Sequence, residues 1–335
     1  MAMKTYRQAI NEAIVGEMRR DADVILMGED VAGGAGGSGE DDAWGGPLGV
    51  TKGLLSEFGP GRVLDTPISE AGFIGAAIGA AASGLRPVVD LMFNDFVGVC
   101  FDQVVNQAAK YRYMFGGQDQ IPLTIRTMIG AGLSISSQHS QSLYPVFSYF
   151  AGLKVLVPSS PYDAKGLLTS AIRDNDPVIF CEHKLLYDMT EDVPDEGYAI
   201  PLGEASLLRE GGDVTVVALS RMVHVASDAA AILAREGIET DLLDPRTTTP
   251  LDTESILESV EATGRLVIVD ESGPRCGMAS DIAALVAEEG FGDLRAPIVK
   301  VTPPHVPIPA APNLEALYVP DVNRVLDAVR RVVAY

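Results

Sequence analysis

Apolar runs and amphipathic stretches alternate along the first half of the chain. Residues 6–20 carry apolar or small side chains at helical spacing, whereas VILMG at 24–28 is a continuous apolar run, typical of a strand buried on both faces. Further strand-like runs lie at 86–93, 122–130, 154–159 and 177–183, with helical stretches at 69–84, 97–115 and 161–173. This alternation predicts right-handed βαβ units and a parallel sheet.

A second series of the same type occupies the C-terminal part of the chain. Its strand-like runs lie at 214–220, 238–244, 265–272 and 296–302, and its helical stretches near 222–236, 252–263, 277–289 and 321–333. Between the two series, an acidic stretch with Pro194 and Pro201 interrupts the alternation and is interpreted as a linker. The pattern predicts an α/β protein with a domain at 1–190, a linker at 191–203 and a domain at 204–335.

The length and the charge of the chain narrow its class. A chain of 335 residues suits two domains and can bury a large core without disulfides or metal ions. Its 25 Lys and Arg residues stand against 46 Asp and Glu residues, which gives a formal net charge of -21. That charge argues against nucleic acid and against an anionic membrane surface as partners, and it leaves open a basic protein partner.

Cysteine, histidine and targeting signals are sparse. Cys100, Cys181 and Cys276 are scattered and predict reduced thiols, and the four isolated histidines form no zinc-like motif. The longest apolar run, at 71–85, is shorter than the roughly 20 residues of a membrane-spanning helix. Since residues 1–21 also lack the features of a secretion signal or transit peptide, we expect a cytoplasmic protein.

Gly34, Gly36 and Gly39 match the G-x-G-x-x-G spacing of dinucleotide-binding loops. They lead into the acidic residues 40–42 rather than into a helix, and carboxylates repel a pyrophosphate. The motif is therefore interpreted as a loop.

Three other segments carry candidate chemistry. In DTPISEAGFIGAA (65–77), Thr66 or Ser69 can cap an Ala- and Gly-rich helix, and Glu70 at its head is either a structural acid or a ligand contact. His139 follows an apolar strand, where α/β sheets form their ligand crevice, although a lone histidine is often structural. Phe96 lies beyond another strand end, where it either packs in the core or stacks on a flat ring.

Together these segments resemble the β subunit of the thiamine-diphosphate-dependent first component of 2-oxoacid dehydrogenase complexes. The resemblance runs end to end and is carried by residues 25–31, 62–81, 102–117, 138–142, 153–168, 171–184 and 244–252. Segments 40–54 and 157–187 are most similar to the acetoin dehydrogenase branch. The family implies two three-layer α/β/α domains with mainly parallel sheets, a transketolase-like pyrimidine-binding domain and a transketolase C-terminal-like domain.

The resemblance also implies partners and a cofactor. Members form an α2β2 tetramer in which the α subunit holds the diphosphate and magnesium, and the β subunit holds the aminopyrimidine. The Gly-Asp-Gly start of the diphosphate motif is absent here, because Gly212-Asp213 is followed by Val214. The chain is therefore expected to be inactive without an α subunit. Its acidic surface is expected to receive the basic subunit-binding domain of the lipoyl acyltransferase core.

Four side chains match functional positions of the family. Glu70 matches the acid that hydrogen-bonds a pyrimidine ring nitrogen and favours the imino tautomer, and Phe96 matches the ring that stacks on the aminopyrimidine. His139 matches the histidine that serves proton transfer and lipoyl acylation. Glu29 matches an acid in the polar tunnel between two active sites.

A structural potassium site of the family consists largely of backbone oxygens. Its matching positions are Leu123, Ala171, Ile172, Asp174 and Asp176. The turn at 171–178 by itself does not require a cation. Some relatives carry an acid at the position of Val99, so this chain departs from them there.

The resemblance predicts cleavage of acetoin, or alternatively of pyruvate or a branched 2-oxoacid, with transfer of the acyl group to a lipoyl arm. Two other classes stay open. A self-contained enzyme of the transketolase type is disfavoured by the missing Gly-Asp-Gly motif and the short chain. A non-catalytic scaffold subunit is disfavoured by the presence of Glu70, Phe96 and His139.

Overall fold

The computed structural model describes residues 2–33 and 45–335, so the glycines of the G-x-G-x-x-G motif and the acidic residues 40–42 lie outside the described part. The described chain forms two compact units. The first comprises the chain up to Ile129 together with Val146–Leu202, and the second comprises Gly130–Pro145 together with Gly203–Tyr335. The predicted domain boundaries differ from this division, since they assign residues 130–145 to the N-terminal domain.

A parallel sheet forms the centre of the first unit. Its strands are β2 (Val24–Gly28), β3 (Val63–Asp65), β4 (Arg86–Phe93), β5 (Thr124–Ile129), β6 (Lys154–Leu156) and β7 (Val178–His183). They lie side by side in the order β6-β7-β5-β4-β2-β3, and every neighbouring pair is parallel. Every residue of β2, β5 and β7 is buried, which explains the continuous apolar runs in the sequence.

Helices cover this sheet, and their ends follow the sequence signals. The helices are α1 (Tyr6–Arg20), α2 (Leu54–Phe58), α3 (Glu70–Ala82), α4 (Ala109–Met114), α5 (Tyr144–Ser148, at the boundary of the units) and α6 (Pro161–Arg173). A capping box of Thr5 and Gln8 begins α1, and the Ser160 hydroxyl caps α6, which has Pro161 in its first turn. Helices α1 and α6 pack on each other, and their apolar faces belong to one core with β2 and β7.

The helix predicted at 97–115 is present over 101–114 and wrong at its start. A 3-10 helix at Asn94–Gly98 ends in a turn at 99–100, and the helical stretch that follows contains a π-helix at Gln103–Ala108 before α4 at Ala109–Met114. The side-chain amide of Asn94 donates to the Met128 carbonyl at 3.0 Å, and the Cys100 thiol donates to the Phe96 carbonyl at 3.8 Å. These bonds hold the backbone in a tight turn that hydrophobic spacing alone does not reveal.

Part of the predicted linker is a strand of the first unit. Strand β8 (Thr190–Val193) pairs antiparallel with β1 (Ala2–Thr5), and Ile200 is buried in the core of that unit. A 3-10 turn at Lys184–Leu186 precedes β8. Since β8 and its partner are nearly 190 residues apart, a local pattern cannot predict the pairing.

The second unit has its own sheet, with strands in the order β14-β13-β10-β11-β9. The strands of that sheet are β9 (Ser206–Arg209), β10 (Val214–Ala218), β11 (Thr240–Asp244), β13 (Leu266–Val269) and β14 (Val299–Val301), with β9 antiparallel to β11 and the other pairs parallel. The short strand β12 (Thr247–Thr249) also belongs to this unit but not to that sheet. Its helices are α7 (Met222–Arg235), α8 (Thr253–Thr263), α9 (Met278–Glu289), α10 (Pro312–Tyr318) and α11 (Val322–Val333), with short 3-10 turns at Ser137–His139 and Phe291–Asp293. The predicted α/β class with mainly parallel sheets is confirmed in both units.

Within residues 2–33 and 45–335, no helix is both long enough and apolar enough to cross a membrane.

Candidate active site

The carboxyl ends of parallel strands bring several polar and aromatic residues to one edge of the first sheet. Glu29 directly follows β2, Thr66 directly follows β3, and Phe96 lies three residues beyond β4. Strands β2 and β4 approach so closely here that a Cβ on Gly28 would lie only 2.8 Å from the backbone oxygen of Asp90. This edge is the ligand crevice expected of a parallel sheet.

Glu70 is the first residue of α3 and only 8% of its surface is exposed. Ser69 stands at the N-cap position, but its hydroxyl donates to the Pro67 carbonyl at 3.4 Å and makes no capping bond, so the predicted side-chain cap is wrong. In the part of the chain that the structure describes, no donor hydrogen-bonds the Glu70 carboxylate. The helix N-terminus stabilises its charge, and the carboxylate oxygens are available to a ligand.

Cys100 and Thr66 are neighbours of Glu70 that the sequence did not indicate as site residues. The buried thiol of Cys100 has its pKa raised to about 12 by burial and then by the charge of Glu70, and it also donates to the Phe96 carbonyl. Cys100 therefore brings Glu70 and Phe96 into one neighbourhood. The hydroxyl oxygen of Thr66 is buried and has no hydrogen-bond partner within the described residues. A buried polar atom of this kind indicates a site that a ligand or water completes.

Glu29 belongs to the same electrostatic neighbourhood. Burial raises the pKa of its carboxyl above the ordinary value, and the charges of Asp30, Glu70 and Asp90 raise it further. Several acids thus gather at this edge of the sheet. Val99, where some relatives carry an acid, is 61% exposed.

The raised pKa of Glu29 predicts a gain in stability for Glu29→Gln. The folded protein holds this proton more tightly than the unfolded chain, so ionisation of Glu29 lowers the free energy of unfolding as the pH rises above about 4.3. We expect the variant to melt at a higher temperature than the parent at pH 7.5, with the difference shrinking toward pH 4.3 in differential scanning calorimetry.

A matched variant should change stability in the opposite direction. The Arg19 guanidinium, which hydrogen-bonds Glu57, lowers the pKa of that exposed carboxyl, so its ionisation stabilises the folded state above the ordinary pKa. Glu57→Gln should therefore melt slightly lower at pH 7.5. Equal shifts in the two variants would contradict the assignment for Glu29.

A strained turn leads from β4 to Phe96. Met92 has a positive φ of 62°, a backbone conformation that residues other than glycine rarely adopt. Asp90 Oδ1 accepts the Met92 amide at 2.8 Å, and the Thr127 hydroxyl donates to the Met92 carbonyl at 3.4 Å. The rings of Phe93 and Phe96 then meet edge to face, with centroids 5.6 Å apart. This turn places the Phe96 ring at the strand end.

A buried ionic cluster lies behind that turn. Arg126 is 2% exposed and binds Glu182 through two hydrogen bonds of 2.7 and 2.9 Å and Asp90 through one of 3.1 Å. The Tyr187 hydroxyl donates to Glu182 at 2.6 Å. Burial by itself lowers the pKa of Arg126, but the two carboxylates outweigh it and raise the pKa. An adjoining cavity of about 10 Å³ has room for roughly one water molecule.

The sequence analysis missed this cluster. Its signal is an arginine inside the otherwise apolar strand PLTIRTMIG, since a buried charge requires a partner.

His139 belongs to the second unit. It is half-buried and ends the 3-10 turn at Ser137–His139. Its amide donates to the Ser136 carbonyl at 3.3 Å. The structure thus brings Glu29, Glu70 and Phe96 together in the first unit and presents His139 on a loop of the second.

Three of the five positions matched to a potassium site already contact cationic side chains, and the other two accept backbone amides. Arg86 Nη1 donates to the carbonyls of Ile172 and Asp174 at 3.2 and 2.9 Å. The side chain of Asp174 pairs with Lys154 at 2.6 Å, and that of Asp176 pairs with Arg112 at 2.6 Å. The Leu123 and Ala171 carbonyls accept backbone amides at 2.8 and 3.2 Å.

The first unit fits the aminopyrimidine half of thiamine diphosphate. A planar ring bearing nitrogen donors needs an acceptor at its edge and an aromatic face beside it. Glu70 offers an acceptor that meets no donor among the described residues, and Phe96 offers the ring. The unpartnered Thr66 hydroxyl adds a further polar contact near the helix start.

Two protein-family models match the chain. The one described as "Transketolase, pyrimidine binding domain" matches residues 2–190, and the one described as "Transketolase, C-terminal domain" matches residues 203–325. A solved structure titled "Split gene transketolase, inactive beta4 tetramer" covers 98% of each chain with a TM-score of 0.80 at 23% identity, which shows the same fold.

Curated relatives match over nearly the whole chain. The "Acetoin:2,6-dichlorophenolindophenol oxidoreductase subunit beta" of Cupriavidus necator is 58% identical over 99% of this chain and 98% of its own length. The protein of the same name from Bacillus subtilis is 58% identical over 95% of this chain and 94% of its own length. The "Pyruvate dehydrogenase E1 component subunit beta" of Rickettsia felis is 46% identical over 99% and 98%.

Proposed function

Because the chain belongs to the transketolase-like β subunits, the family of its acetoin oxidoreductase and pyruvate dehydrogenase relatives, we propose that it is the β subunit of a thiamine-diphosphate-dependent enzyme. The enzyme cleaves acetoin and passes the acyl group to a lipoyl arm. The observation that carries this proposal is the buried Glu70 carboxylate, which begins α3 without a donor among the described residues and shares its neighbourhood with Phe96.

When bound, thiamine diphosphate supplies the carbon nucleophile that cleaves a bond next to a carbonyl group. Glu70 hydrogen-bonds a nitrogen of the aminopyrimidine ring and exchanges a proton with it. The ring of Phe96 offers a face for stacking. Glu29 contributes a second acid, whose pKa burial and the neighbouring acids raise above its ordinary value.

His139 serves the later proton transfers at the reacting carbonyl group and the acylation of the lipoyl arm. A histidine is suited to this work because its ordinary pKa lies near neutral pH. Its place on a loop agrees with the general tendency of catalytic groups to lie on loops held by a rigid scaffold.

His139→Ala should slow acylation of a lipoyl domain by about 10²-fold or more. The measurement uses the assembled enzyme and compares lipoyl acylation with reduction of 2,6-dichlorophenolindophenol, which needs no lipoyl arm. We expect the rate of lipoyl acylation to fall by a larger factor than the rate of dye reduction. His305→Ala, an exposed histidine of the same unit, is the control and should retain both activities. Unchanged lipoyl acylation in His139→Ala would refute the role of His139.

An α subunit completes the site and holds the diphosphate and magnesium. This chain has no Gly-Asp-Gly sequence with which to bind them itself. The enzyme is an α2β2 assembly that docks on a lipoyl acyltransferase core, whose basic subunit-binding domain suits a chain of net charge -21.

Potassium at Leu123, Ala171, Ile172, Asp174 and Asp176 also belongs to the proposal. A carbonyl oxygen has two lone pairs, so an oxygen that accepts a hydrogen bond can still ligate a cation. The contacts of Arg86 already supply positive charge to two of these carbonyls. Any ion there is structural, and no catalytic step depends on it.

Acetoin is proposed over pyruvate because two acetoin oxidoreductase subunits are 58% identical to this chain, against 46% for the pyruvate dehydrogenase subunit, at similar coverage. The test co-purifies the chain with its α subunit and measures kcat/KM for acetoin, pyruvate and a branched 2-oxoacid. We expect acetoin to exceed the others by about 10-fold or more.

The other outcomes of this panel select the alternatives. Preference for pyruvate or a branched 2-oxoacid would assign the chain to that dehydrogenase. Turnover by the chain alone would support a self-contained enzyme. A loaded assembly that turns over none of the three substrates would support a scaffold subunit. Repeating the binding to the acyltransferase core at rising salt checks the electrostatic docking, which should weaken.

A further inference from the structure

The loop that carries His139 has little regular structure of its own. We call residues 130–143, between β5 and α5, the histidine loop. Apart from the 3-10 turn at Ser137–His139, these residues form no helix or strand. The amide of Gly130 donates to the Gln141 carbonyl at 3.1 Å and closes the loop at its base. Groups outside the loop must therefore define the conformation of its tip.

Glu315 on α10 is the main such group. Its carboxylate is 3% exposed and accepts three hydrogen bonds from the loop. Oε1 accepts the Gly132 amide at 2.8 Å, and Oε2 accepts both the amide and the hydroxyl of Ser134, each at 2.9 Å. All three donors are neutral groups, so their hydrogen bonds stabilise a buried negative charge that would otherwise be costly.

The bonds to Glu315 hold a strained stretch of backbone. Ser134 and Ser136 have φ values of 56° and 75°, in the region that favours glycine. Such a conformation is strained and persists only where the surroundings impose it. Ser134 is bonded through its backbone and its side chain to Glu315, and Ser136 lies three residues before His139.

Other contacts support the loop within the same unit. Glu271 accepts the Ala131 amide at 2.6 Å, and the Ser137 hydroxyl donates to the Ile308 carbonyl at 2.5 Å. Just beyond the loop, the buried Tyr144 hydroxyl donates to Asp270. Glu315 thus provides the contacts at Gly132 and Ser134, between the bond of Ala131 to Glu271 and that of Ser137 to Ile308.

We infer that Glu315 is a positioning residue that holds the histidine loop in the conformation that presents His139. The inference rests on the proposed function, because it concerns the histidine assigned to acyl transfer. Glu315 does not act on the substrate. It sets the backbone path from Gly132 to Ser134 and, through the strained residues that follow, the place of His139.

Glu315→Gln is the sharpest test, because glutamine has the same shape but only one acceptor oxygen. Both carboxylate oxygens of Glu315 accept a backbone amide of the loop, so the NH2 group of the glutamine faces a donor whichever oxygen it replaces. In the assembled enzyme, we expect lipoyl acylation to fall roughly 10- to 100-fold, as for loss of a hydrogen bond to a charged group. Hydrogen exchange of a peptide covering 130–142, followed by mass spectrometry, should accelerate by about 10-fold or more.

Asp252→Asn is the matched control. The Asp252 carboxylate lies in the same unit and also accepts three hydrogen bonds, from the Ala205 amide and from the amide and hydroxyl of Ser255. None of these donors belongs to the histidine loop. We expect this variant to lose thermal stability comparably, with lipoyl acylation and exchange of 130–142 unchanged. Equal effects of both variants on the loop and its reaction would overturn the inference.

A double-mutant cycle separates positioning from general damage. In a His139→Ala background, Glu315→Gln should reduce lipoyl acylation little further, because both changes remove the same group from its place. Multiplying effects would contradict the inference. If His139→Ala alone leaves the reaction unchanged, the proposed role of His139 fails, whereas unchanged exchange of 130–142 in Glu315→Gln refutes the hold on the loop independently of activity.

Ser134→Ala serves if Glu315→Gln does not fold. It removes one of the three bonds to Glu315 and leaves the carboxylate in place. We expect smaller changes in the same direction, in both lipoyl acylation and exchange of 130–142. Parent-like values for both measurements would overturn the inference.

Discussion

Glu70→Gln should lower kcat of the assembled enzyme by about 10²- to 10⁴-fold, the range of a lost general acid or base. Glutamine keeps the size of the side chain but cannot exchange a proton with a ring nitrogen. Glu70 is 8% exposed and begins α3, so the isosteric change leaves the site otherwise intact. The measurement is steady-state turnover of acetoin at saturating thiamine diphosphate.

A matched control separates chemistry from the effect of an acid at a helix start. Glu254 stands in the first turn of α8 and is exposed. Glu254→Gln loses a similar favourable interaction with the helix dipole but touches no proposed site residue. It should turn over acetoin like the parent. Parent-like turnover by Glu70→Gln would remove the basis of the catalytic assignment and favour a scaffold subunit.

Arg126→Met should destabilise the first unit by about 3–5 kcal/mol, because it leaves buried carboxylates without their cation. Glu182 is 1% exposed and Asp90 lies on the neighbouring strand, so neither can regain full hydration. The expected fall in melting temperature is on the order of 10 °C by calorimetry. We also expect weaker cofactor binding, since Asp90 holds the Met92 turn that leads to Phe96.

Two further variants check the electrostatic cause. Arg126→Met combined with Glu182→Gln removes one orphaned charge and should melt above the single variant. Arg19→Met breaks the ion pair with Glu57 at the surface, where solvent screens the charges, and should lower the melting temperature much less. If the two single variants melt alike, the cluster contributes nothing special to the fold.

Several elements follow from the sequence because their signals are local. The helical spacing at 6–20, the apolar run at 24–28 and the strand at 86–93 correspond to α1, β2 and β4 with the same bounds. Hydrophobic periodicity reports which face of a segment is buried, so it marks each of these segments whichever partner the segment packs on. The four strands and four helices of the second series are also present, with ends shifted by up to three residues.

Elements that depend on distant partners were not predicted. Strand β8 exists through its pairing with β1, and the start of the helix predicted at 97–115 is replaced by a 3-10 helix and a turn, near which the Asn94 side chain bonds the Met128 carbonyl. Neither interaction leaves a periodic signal in the segment itself. The loop at 130–145 likewise belongs to the second unit through bonds to residues more than 100 positions away.

The candidate site divides in the same way. Residue type and position made Glu70, Phe96 and His139 candidates, the family resemblance gave them roles and added Glu29, and the structure adds how they are held. In the sequence Arg126 is one polar residue of a largely apolar strand, and only the structure shows its bond to Glu182. Glu315 likewise has no distinguishing signal in the sequence, and only the structure shows its bonds to the loop.

By itself, the sequence determined the alternation of strands and helices, the family, and the side chains that can perform the chemistry. It did so because periodicity, residue type and motif order are properties of the chain alone. Only the tertiary structure decided which acid meets no donor among the described residues, which arginine is neutralised and which glutamate accepts hydrogen bonds from the histidine loop. Those facts depend on contacts across 56 and 183 positions of chain, and such contacts form only when the packed core brings the groups together.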